Sequence, residues 1–339
     1  MDRSLIIWHN ESTIFTSDSH WLHPLFEFDD FLSKNKFAIS ELFLQDKIAG
    51  KAAACMIVRL GIKKCHIELI SARAIPVFER AGVDYAYDSI VEQIDCRTEY
   101  LISDDMSVDE VWLFLRKRAG RVAGLPVKME HVVVTNESST VLDDLNLYLP
   151  AGDQMLISGS NGAGKTTLLK TILGLEKPEK GIVRIGDLVV GSREWNQCRM
   201  NTAYVHQENI KNTFPISAGE VAAIGLAGSK FSSSEIAYNV EIAMRRTGCF
   251  NLLNRSYHSL SGGEKQRVSL ARCLCQHARV LLLDEPSSFL DREGKEELLG
   301  LLQELCQNEA PTIIMVSHDP LWIKRLLWYR KELIGGRLI

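Results

Sequence analysis

The octapeptide GSNGAGKT spans residues 159–166, between an apolar run at 155–158 and a predicted helix at Thr167–Leu173. Its members are Gly159, Ser160, Asn161, Gly162, Ala163, Gly164, Lys165 and Thr166. Glycines let the backbone curl so that its amide groups surround a phosphate, the lysine adds a positive charge, and the threonine hydroxyl can ligate Mg²⁺. A strand, a loop of this pattern and a helix in succession predict a P-loop. We therefore expect these residues, with Thr167, to bind a nucleotide.

Two carboxylates follow a second apolar segment. Val280–Leu283 is continuously apolar, as strands buried on both faces are, and Asp284 and Glu285 come directly after it. In open α/β sheets the carboxyl ends of the strands face the ligand. Phosphoryl transfer needs mainly positioning and charge neutralisation. We therefore expect Asp284 to hold Mg²⁺ through water, and Glu285 to orient and deprotonate the attacking water.

A third stretch, LSGGEKQ at residues 260–266, places a serine and paired glycines before a predicted helix. Unpaired N–H groups and the helix dipole favour an anion at such a helix N-terminus. The stretch resembles the signature sequence of ABC-type ATPases. This resemblance implies that Ser261, Gly262, Gly263 and Glu264 help to bind the γ-phosphate end of a nucleotide held by the opposite subunit.

Three further residues occur in the order expected of that family. Gln207 ends the strand-like TAYVHQ and matches the glutamine that senses Mg²⁺ and the nucleophilic water. His318 follows the apolar Thr312–Ser317 and matches the switch histidine, which contacts the γ-phosphate. Asp291, in SSFLD, matches the aspartate of the loop that crosses the dimer interface. The resemblance to ABC transporter ATP-binding subunits covers residues 126–339.

One position departs from the family pattern. Such domains usually stack the adenine on an aromatic residue near the second strand, and the corresponding place is about Asn136, with Val134 and Val141 as apolar neighbours. Stacking of a base contributes about 1–3 kcal/mol in nucleic-acid binders. We expect Val141 to contact the nucleotide, and nucleotide affinity or base discrimination to be lower than in a typical relative.

The resemblance also implies the fold of residues 127–339. It is an α/β P-loop NTPase of ABC type, with a RecA-like core, a helical subdomain and an antiparallel β subdomain. The helical subdomain corresponds to Glu208–Ser259, and its opening, NTFPISAGEV at 212–221, looks like the same stretch in metal-ion importers. Phe214 and Ile216 are candidates for a surface that receives a membrane subunit, with local core packing as the alternative.

Residues 1–120 are predicted to form a separate α/β domain, joined to the rest by a linker at 121–126. About 120 residues are enough to bury a core of their own. The residue pattern predicts strands at Ser4–His9, Ser12–Thr16, Ala38–Leu44, Lys64–Ile70 and Asp84–Asp88, and helices at Leu22–Ser33, Gly50–Leu60, Arg73–Ala81 and Val108–Arg118.

Part of this domain resembles a small prokaryotic domain of unknown function, family 1893. The resemblance rests on FLQDKIAGKAAACMIVRLGIKKCHIELIS at 43–71 and AIPVFERAGVDYAYDSIVEQI at 74–94. It implies a small α/β sandwich similar to cytidine deaminases. A zinc deaminase needs H-x-E and P-C-x-x-C. His66-Ile67-Glu68 has the first pattern but lies in a predicted strand, and the second pattern does not follow, so we expect no zinc deamination.

A different site is conceivable at Lys51 and Ser71. Lys51 lies in the first turn of a predicted helix, where the dipole disfavours a cation by about 0.3–1 kcal/mol and where a deaminase would carry its catalytic helix start. We hypothesise a small-molecule or anion site there, the alternative being an exposed lysine on a regulatory or docking domain. Cys55 is expected to be a small core residue, with a thiol of lowered pKa as the alternative.

The composition is that of a globular protein. Of 339 residues 46% are hydrophobic and 24% charged, the formal net charge is −4, and neither part of the chain has the excess of positive charge that nucleic-acid binding needs. No apolar run approaches the ~18–20 residues that span a bilayer, and the polar start MDRS lacks a signal-peptide core. Eight cysteines without C-x-x-C spacing predict reduced, mostly buried thiols, with Cys273 and Cys275 on different helix faces.

We therefore expect an ATP-binding and ATP-hydrolysing subunit of an ABC transporter. It would use ATP and Mg²⁺, work as a homodimer or with a second ABC ATPase, and serve transmembrane permease subunits, with no nucleic acid as partner. An importer of metal-ion type is favoured, located in the cytoplasm on the inner face of the membrane, with a regulatory or ligand-sensing N-terminal domain. The alternatives are a soluble ABC ATPase switch without transport, and a bifunctional protein whose N-terminal domain acts on a nucleotide-like small molecule.

Overall fold

The computed structural model describes residues 3–136, 139–206, 215–326 and 328–339. Packing divides the chain into two compact units, Met1–Arg121 and Val122–Ile339. Each unit has its own hydrophobic core, with one cluster in the first and three in the second.

The stretch 121–126, which the sequence suggested as a linker, is largely hydrogen-bonded within the second unit. The amides of Ala123 and Gly124 donate to the carbonyl oxygens of Glu309 and Ala310. The hydroxyl of Thr312 donates to the Leu125 carbonyl at 2.7 Å. These bonds exist because the stretch runs beside the end of a helix and the start of a strand, which leave backbone groups to be paired.

The first unit is built on one five-stranded mixed sheet. Its strands are β1 (Leu5–His9), β2 (Ser12–Ser17), β3 (Leu42–Ala49), β4 (Lys64–Ser71) and β5 (Asp84–Val91), in the order β2-β1-β3-β4-β5. β1 is antiparallel to β2 and β3, whereas β3, β4 and β5 are parallel. The carboxyl ends of these three strands therefore lie at one edge of the sheet.

Five helices accompany this sheet. They are α1 (His23–Lys34), α2 (Lys51–Arg59), α3 (Ile75–Ala81), α4 (Arg97–Leu101) and α5 (Val108–Arg118). α2 is buried over almost its whole length because its first seven residues are small or apolar apart from Lys51. It packs against α1, α3, α4 and α5. The helix thus forms the centre of the unit.

Two differences from the predicted elements of the first unit are the unpredicted helix α4 and the position of β3. The strand occupies Leu42–Ala49 rather than Ala38–Leu44, and a 3₁₀ turn at Ile39–Glu41 precedes it. The polar residues 45–47 remain in the strand because β3 pairs with β1 on one side and with β4 on the other. Pairing on both sides satisfies the backbone regardless of side-chain polarity.

The second unit is centred on a six-stranded sheet. Its strands are β8 (Gln154–Ser158), β11 (Thr202–Val205), β12 (Val280–Asp284), β13 (Thr312–Val316), β14 (Tyr329–Ile334) and β15 (Arg337–Leu338), in the order β11-β12-β13-β8-β14-β15. The first five strands of this order are parallel. All residues of β12 and β13 are buried, which explains their continuous apolar sequences.

An antiparallel sheet forms a second part of this unit. Its strands are β6 (Val127–Asn136), β7 (Ser139–Leu149), β9 (Lys180–Ile185) and β10 (Leu188–Val189), in the order β10-β9-β6-β7. Alternating burial along β6 and β7 gives the sheet one apolar face. The side chains on that face pack against α6 (Lys165–Ile172) and the six-stranded sheet, called the core sheet below, in one hydrophobic cluster.

Six further helices complete the described part of the second unit. They are α7 (Arg193–Cys198), α8 (Ala218–Ala223), α9 (Ser233–Arg246), α10 (Gly262–Cys275), α11 (Arg292–Asn308) and α12 (Pro320–Arg325). α8, α9 and α10 share a separate core that includes Val240, Met244, Leu252 and Val268. α8 and α9 lie in the helical subdomain expected from the family at Glu208–Ser259, and α10 packs against them. Among the described residues, we find no helix with the length and apolarity needed to cross a bilayer.

The cysteines lie mostly inside the two units. Six of the eight are buried, and none of the eight forms a disulfide. Cys273 belongs to the core around β12 and β13, whereas Cys275 belongs to the core of the helical subdomain. Two residues of one helix therefore serve two different cores, as their spacing predicted. Burial raises the pKa of the Cys55 thiol to about 11, so Cys55 is a core residue rather than an activated thiol.

Candidate active site

The P-loop leads into the N-terminus of α6. Gly159, Gly162 and Gly164 have positive φ angles of 151°, 81° and 97°, which favour glycine. A Cβ atom at Gly162 would meet no atom within 4 Å, whereas one at Gly164 would lie 2.9 Å from Cγ1 of Val141. The loop therefore has open space beside Gly162, and Val141 packs directly against its last glycine.

Lys165 is held by the loop itself. Its side chain is buried, and Nζ donates to the carbonyl oxygens of Gly159 at 2.7 Å and Ser160 at 2.9 Å. Ser160 and Asn161 are exposed, while Ala163 and Thr167 are half-buried. Phosphate oxygens are charged acceptors and bind an ammonium group more strongly than neutral carbonyls do. The lysine is thus positioned to exchange loop carbonyls for a phosphate.

Asp284 is the most deeply buried acid of this region, with 2% of its surface exposed. Its Oδ2 accepts hydrogen bonds from Oγ1 of Thr166 at 2.9 Å and from the hydroxyl of Tyr204 at 3.0 Å. A buried carboxylate requires such donors. Burial, together with the charge of Asp284, raises the pKa of Tyr204. A threonine hydroxyl beside a carboxylate is also the donor set that Mg²⁺ uses together with phosphate oxygens, so these residues fit the metal.

Glu285 adopts an unusual backbone conformation at the carboxyl end of β12. Its φ is 48°, and its amide donates to the Val316 carbonyl of the neighbouring strand at 2.9 Å. A left-handed conformation in a residue other than glycine costs about 1–3 kcal/mol and is common at functional sites. The carboxylate lies 2.7 Å from Nδ1 of His318, whose side chain is 69% exposed. Glu285 and His318, predicted separately, are therefore in direct contact.

The signature residues form the start of α10. Ser261 caps the helix by accepting from the Glu264 amide at 3.3 Å, and Glu264 in turn accepts from the Ser261 amide at 2.7 Å. The hydrogen bond from the Ser261 amide lowers the pKa of Glu264. Because Ser261 uses its oxygen only as an acceptor in this cap, its hydroxyl hydrogen remains available to an incoming anion.

A cavity of about 420 Å³ opens beside the signature residues. Its lining includes Ser261, Gly262, Gly263, Phe289 and Asp291, and no P-loop residue among those the structure describes. Asp291 caps α11 by accepting from the Gly294 amide at 2.9 Å. The signature cavity and the P-loop are thus two separate surfaces of the second unit.

Two residues near the site carry information that the sequence pattern did not reveal. Tyr204 pairs with Leu282 across the parallel strands β11 and β12, and its hydroxyl reaches Asp284. Phe289 covers Gly262 so closely that a Cβ atom there would lie 2.9 Å from the Phe289 Cβ. The contact of Tyr204 could have been suspected from the sequence, because an aromatic residue stands between Ala203 and Val205 in a short buried strand. The contact of Phe289 had no local signal.

The remaining predicted residues of the second unit lie at or outside the described part. Asn136 is exposed at the end of β6, and its neighbour Val134 is buried in the core. Gln207 and Phe214 belong to residues 207–214, which lie outside the described residues. Their assigned roles stay predictions.

In the first unit, Lys51 and Ser71 are both buried rather than exposed. They meet at the carboxylate of Glu99, which is 2% exposed: Oε1 accepts from the Lys51 amide at 3.1 Å and from Oγ of Ser71 at 3.3 Å. Nζ of Lys51 donates to the Ser103 carbonyl at 2.5 Å. A carboxylate of the same chain thus occupies the place where the anion was expected, and the anion site at Lys51 and Ser71 stays a prediction. His66 lies apart from this cluster, 2.9 Å from Asp88.

A phosphate-binding loop, a buried carboxylate on its threonine and a second carboxylate held by a histidine define a P-loop ATPase. The chain belongs to the family of ABC transporter ATP-binding subunits. Residues 142–288 match the protein family described as "ABC transporter". Residues 1–116 match the family described as "Domain of unknown function (DUF1893)". Both resemblances seen in the sequence are confirmed. The similarity of the first unit to cytidine deaminases stays a prediction.

Curated relatives agree with this assignment. The chain is 32% identical to the energy-coupling factor transporter ATP-binding protein EcfA1 of Mycoplasmopsis pulmonis, over 57% of this chain and 74% of that protein. It is 36% identical to the zinc import ATP-binding protein ZnuC of Marinobacter nauticus, over 57% and 68%. It is 34% identical to the manganese transport system ATP-binding protein MntB of Bacillus subtilis, over 57% and 77%.

Solved structures agree as well. A dimeric post-hydrolysis state of the ATP-binding cassette MJ0796 with ADP and Pi matches with a TM-score of 0.57 and 27% identity, over 62% of this chain and 96% of that one. CbiO1 from Clostridium perfringens, part of the ABC transporter complex cbiONQ, matches with a TM-score of 0.54 and 30% identity, over 63% and 86%. The chain is therefore an ATP-binding and ATP-hydrolysing subunit of an ABC transporter.

Proposed function

We propose that two copies of the ATPase unit, or one copy and a second ABC ATPase, bind two ATP molecules between them. The main observation in support is that the P-loop and the signature cavity are separate surfaces of one chain. Each ATP would bind to the P-loop of one protomer and to Ser261, Gly262 and Gly263 of the other. Glu264 would support this face by fixing the start of α10, and Asp291 would lie at the dimer interface.

Within one protomer, the P-loop would hold the phosphates. Amides of residues 159–167 donate to the phosphate oxygens, and Lys165 exchanges its carbonyl partners for them. Val141 gives the base an apolar contact without the stacking that an aromatic residue would add. Binding should therefore depend more on the phosphates than on the identity of the base.

Mg²⁺ would be held by Thr166 and Asp284, with Gln207 as a further ligand. It supplies charge neutralisation at the β- and γ-phosphate oxygens. Tyr204 keeps Asp284 oriented, since its hydroxyl donates to the same oxygen as Thr166 does. Thr166 and Asp284 would hold the metal, while the Tyr204 hydroxyl continues to fix the Asp284 carboxylate.

Hydrolysis would use Glu285 and His318. A water oxygen attacks the γ-phosphorus, the bond from that phosphorus to the β,γ-bridging oxygen breaks, and ADP leaves. Glu285 orients the water and accepts its proton, and the His318 ring, 2.7 Å away, holds the carboxylate in place and approaches the γ-phosphate. Loss of the γ-phosphate removes the group shared by both protomers, which allows the dimer to open.

Glu285→Gln should trap the ATP-bound dimer. The amide cannot accept the proton, so the rate of phosphate release should fall at least about 100-fold while ATP binding persists. Phosphate release and light scattering with ATP and Mg²⁺ measure both effects. Glu293→Gln, at an exposed position of α11, is the matched control and should behave as wild type. Hydrolysis by Glu285→Gln at the wild-type rate would refute the role of Glu285.

The work of this cycle would be transmitted to transmembrane permease subunits. A groove of about 570 Å³ lies between the core sheet and the helical subdomain, and Ile216, Val221, Ile224 and Leu173 contribute to its lining. Ile224 is 49% exposed. An exposed apolar patch of this kind is typical of an interaction surface. A cytoplasmic segment of a permease is the occupant we propose, and the subunit would then lie on the inner face of the membrane.

The cargo we propose is a metal ion moving inward. The support comes from two relatives named as zinc import and manganese transport proteins, and from the resemblance of residues 212–221 to metal-ion importers. The substrate itself would be recognised by the permease.

Ile216→Asp should release the protein from membranes. The carboxylate would be buried at a permease contact without a partner, a cost of several kcal/mol. The tagged full chain, purified from gently solubilised membranes of its native cell, should bring down a polytopic membrane protein, and the Ile216→Asp variant should lose it. Ile182→Asp, at an exposed position on β9, is the control. Recovery of the same membrane protein with the Ile216→Asp variant as with the wild type would refute the groove as the docking site.

We assign a ligand-sensing role to the first unit, centred on Lys51, Ser71 and Glu99. Glu99 fills the carboxyl edge of the sheet, the place where α/β sheets usually bind ligands. Gly50 packs directly against this carboxylate, because a Cβ atom at Gly50 would clash with Glu99 Oε2. Arg73 fastens the same segment by donating to the Glu99 carbonyl at 2.6 Å. A ligand carboxylate or phosphate would replace Glu99 and free α4.

Glu99→Gln should loosen α4 in the full chain. Loss of the buried negative charge weakens the bonds from the Lys51 amide and Ser71, so amide hydrogen exchange in residues 97–104 should rise at least about tenfold. Inorganic phosphate should produce the same increase in the wild type. Glu92→Gln, at an exposed position, is the control. Unchanged exchange in both Glu99→Gln and the phosphate-treated wild type would make Glu99 a structural residue and remove the sensing role.

A further inference from the structure

A second cavity lies behind the signature helix. It has a volume of about 270 Å³ and opens where the C-terminal end of α9 meets α10 and α11. Its floor is apolar and consists of Leu270, Leu290, Leu298 and Leu301. Its wall is polar and includes Arg246, Gln266, Arg267 and Glu297. The cavity therefore combines a leucine floor with a wall that carries more positive than negative charge.

Gln266 is the unusual member of this wall. It is 3% exposed, and its Nε2 has no hydrogen-bond partner among the residues that the structure describes. A buried amide without a partner destabilises the folded state by about 1–3 kcal/mol. Buried polar side chains in native proteins nearly always have a partner in the protein, in water or in a ligand. An acceptor is therefore missing at this position.

Arg246, the last residue of α9, also carries a buried donor without a partner among the described residues. Its Nη2 pairs with Glu304 at 3.1 Å and with Glu309 at 2.9 Å, so the guanidinium is fixed. Its Nε is buried and, within the described part of the chain, also lacks a partner. Arg267 is paired with Glu297 across the cavity wall. Two buried donors thus remain unpaired in a wall whose other charges are satisfied.

We propose that this cavity binds a small organic carboxylate. The carboxylate oxygens would accept from Nε2 of Gln266 and Nε of Arg246, and the apolar part of the molecule would cover the four leucines of the floor. Water could satisfy the amide but would leave the leucine floor wet, which costs about 25 cal/mol for each Å² of apolar surface. Inorganic phosphate offers acceptors without an apolar part and should bind less well.

The position of the cavity gives the ligand a role that rests on the proposed function. Its walls belong to α10 and α11, whose first turns carry the caps Ser261 and Asp291. A molecule that contacts both helices would fix the signature face relative to the interface loop. The ligand would then change the rate of ATP hydrolysis without touching the nucleotide.

Binding can be tested on the full chain without nucleotide, which keeps it independent of the proposed dimer cycle. Benzoate is the probe, and isothermal titration measures its dissociation constant. Wild type and the exposed-site control Gln303→Leu should bind equally. Gln266→Leu should weaken binding at least about tenfold, because one hydrogen bond to the carboxylate is lost. Leu301→Trp, which fills the floor, should abolish it.

A second measurement distinguishes a ligand site from a structural role. In the absence of benzoate, Gln266→Leu should leave the free energy of unfolding unchanged or raise it, since an unpaired buried amide is removed. A marked loss of stability would show that the glutamine already has a structural partner, and it would overturn the proposal. The proposal also fails if the wild type does not bind benzoate, if Gln266→Leu binds it equally, or if phosphate binds as tightly as benzoate.

Discussion

The buried carboxylate of Asp284 is the constraint on which the ATPase site depends. A carboxyl group with 2% exposure needs hydrogen-bond partners inside the protein. Thr166 supplies one donor from the P-loop helix, and Tyr204 supplies another from the neighbouring strand. These two hydrogen bonds connect the helix after the P-loop, α6, and the strand β11 to one carboxylate oxygen at the end of β12. The next residue, Glu285, is consequently aimed at His318 from a fixed backbone.

The sequence revealed the parts of the fold that depend on local pattern. Val280–Leu283 could only be a doubly buried strand, and the glycine spacing at 159–166 allows only a loop with positive φ angles. Both were predicted because each rests on neighbouring residues. The extent of β3 was missed, since its polar residues 45–47 are retained by pairing with two other strands. Such pairing joins distant residues and leaves no local pattern.

The same reasoning separates what was predictable in the sites from what was not. Ser261 and Glu264 form a cap between residues three apart, so the start of α10 could be read from the sequence. Other contacts join segments that are far apart in the chain and leave no local pattern. They are the hydrogen bond from Tyr204 to Asp284, and the hydrogen bonds from Lys51 and Ser71 to the Glu99 carboxylate. The contacts of Glu99 change the interpretation of the N-terminal unit most. The Glu99 carboxylate occupies the position that an external ligand was expected to take.

The central claim is that each ATP is bound and hydrolysed between the P-loop of one protomer and the signature of another. The direct measurement is a mixing experiment with Lys165→Ala and Ser261→Arg, each of which should be inactive alone because it spoils every composite site. An equal mixture should recover about a quarter of the wild-type hydrolysis rate, because half the dimers would contain one intact site of the two. Hydrolysis by Ser261→Arg alone at the wild-type rate would contradict the account, and a mixture as inactive as its components would contradict composite sites formed by two copies of this chain.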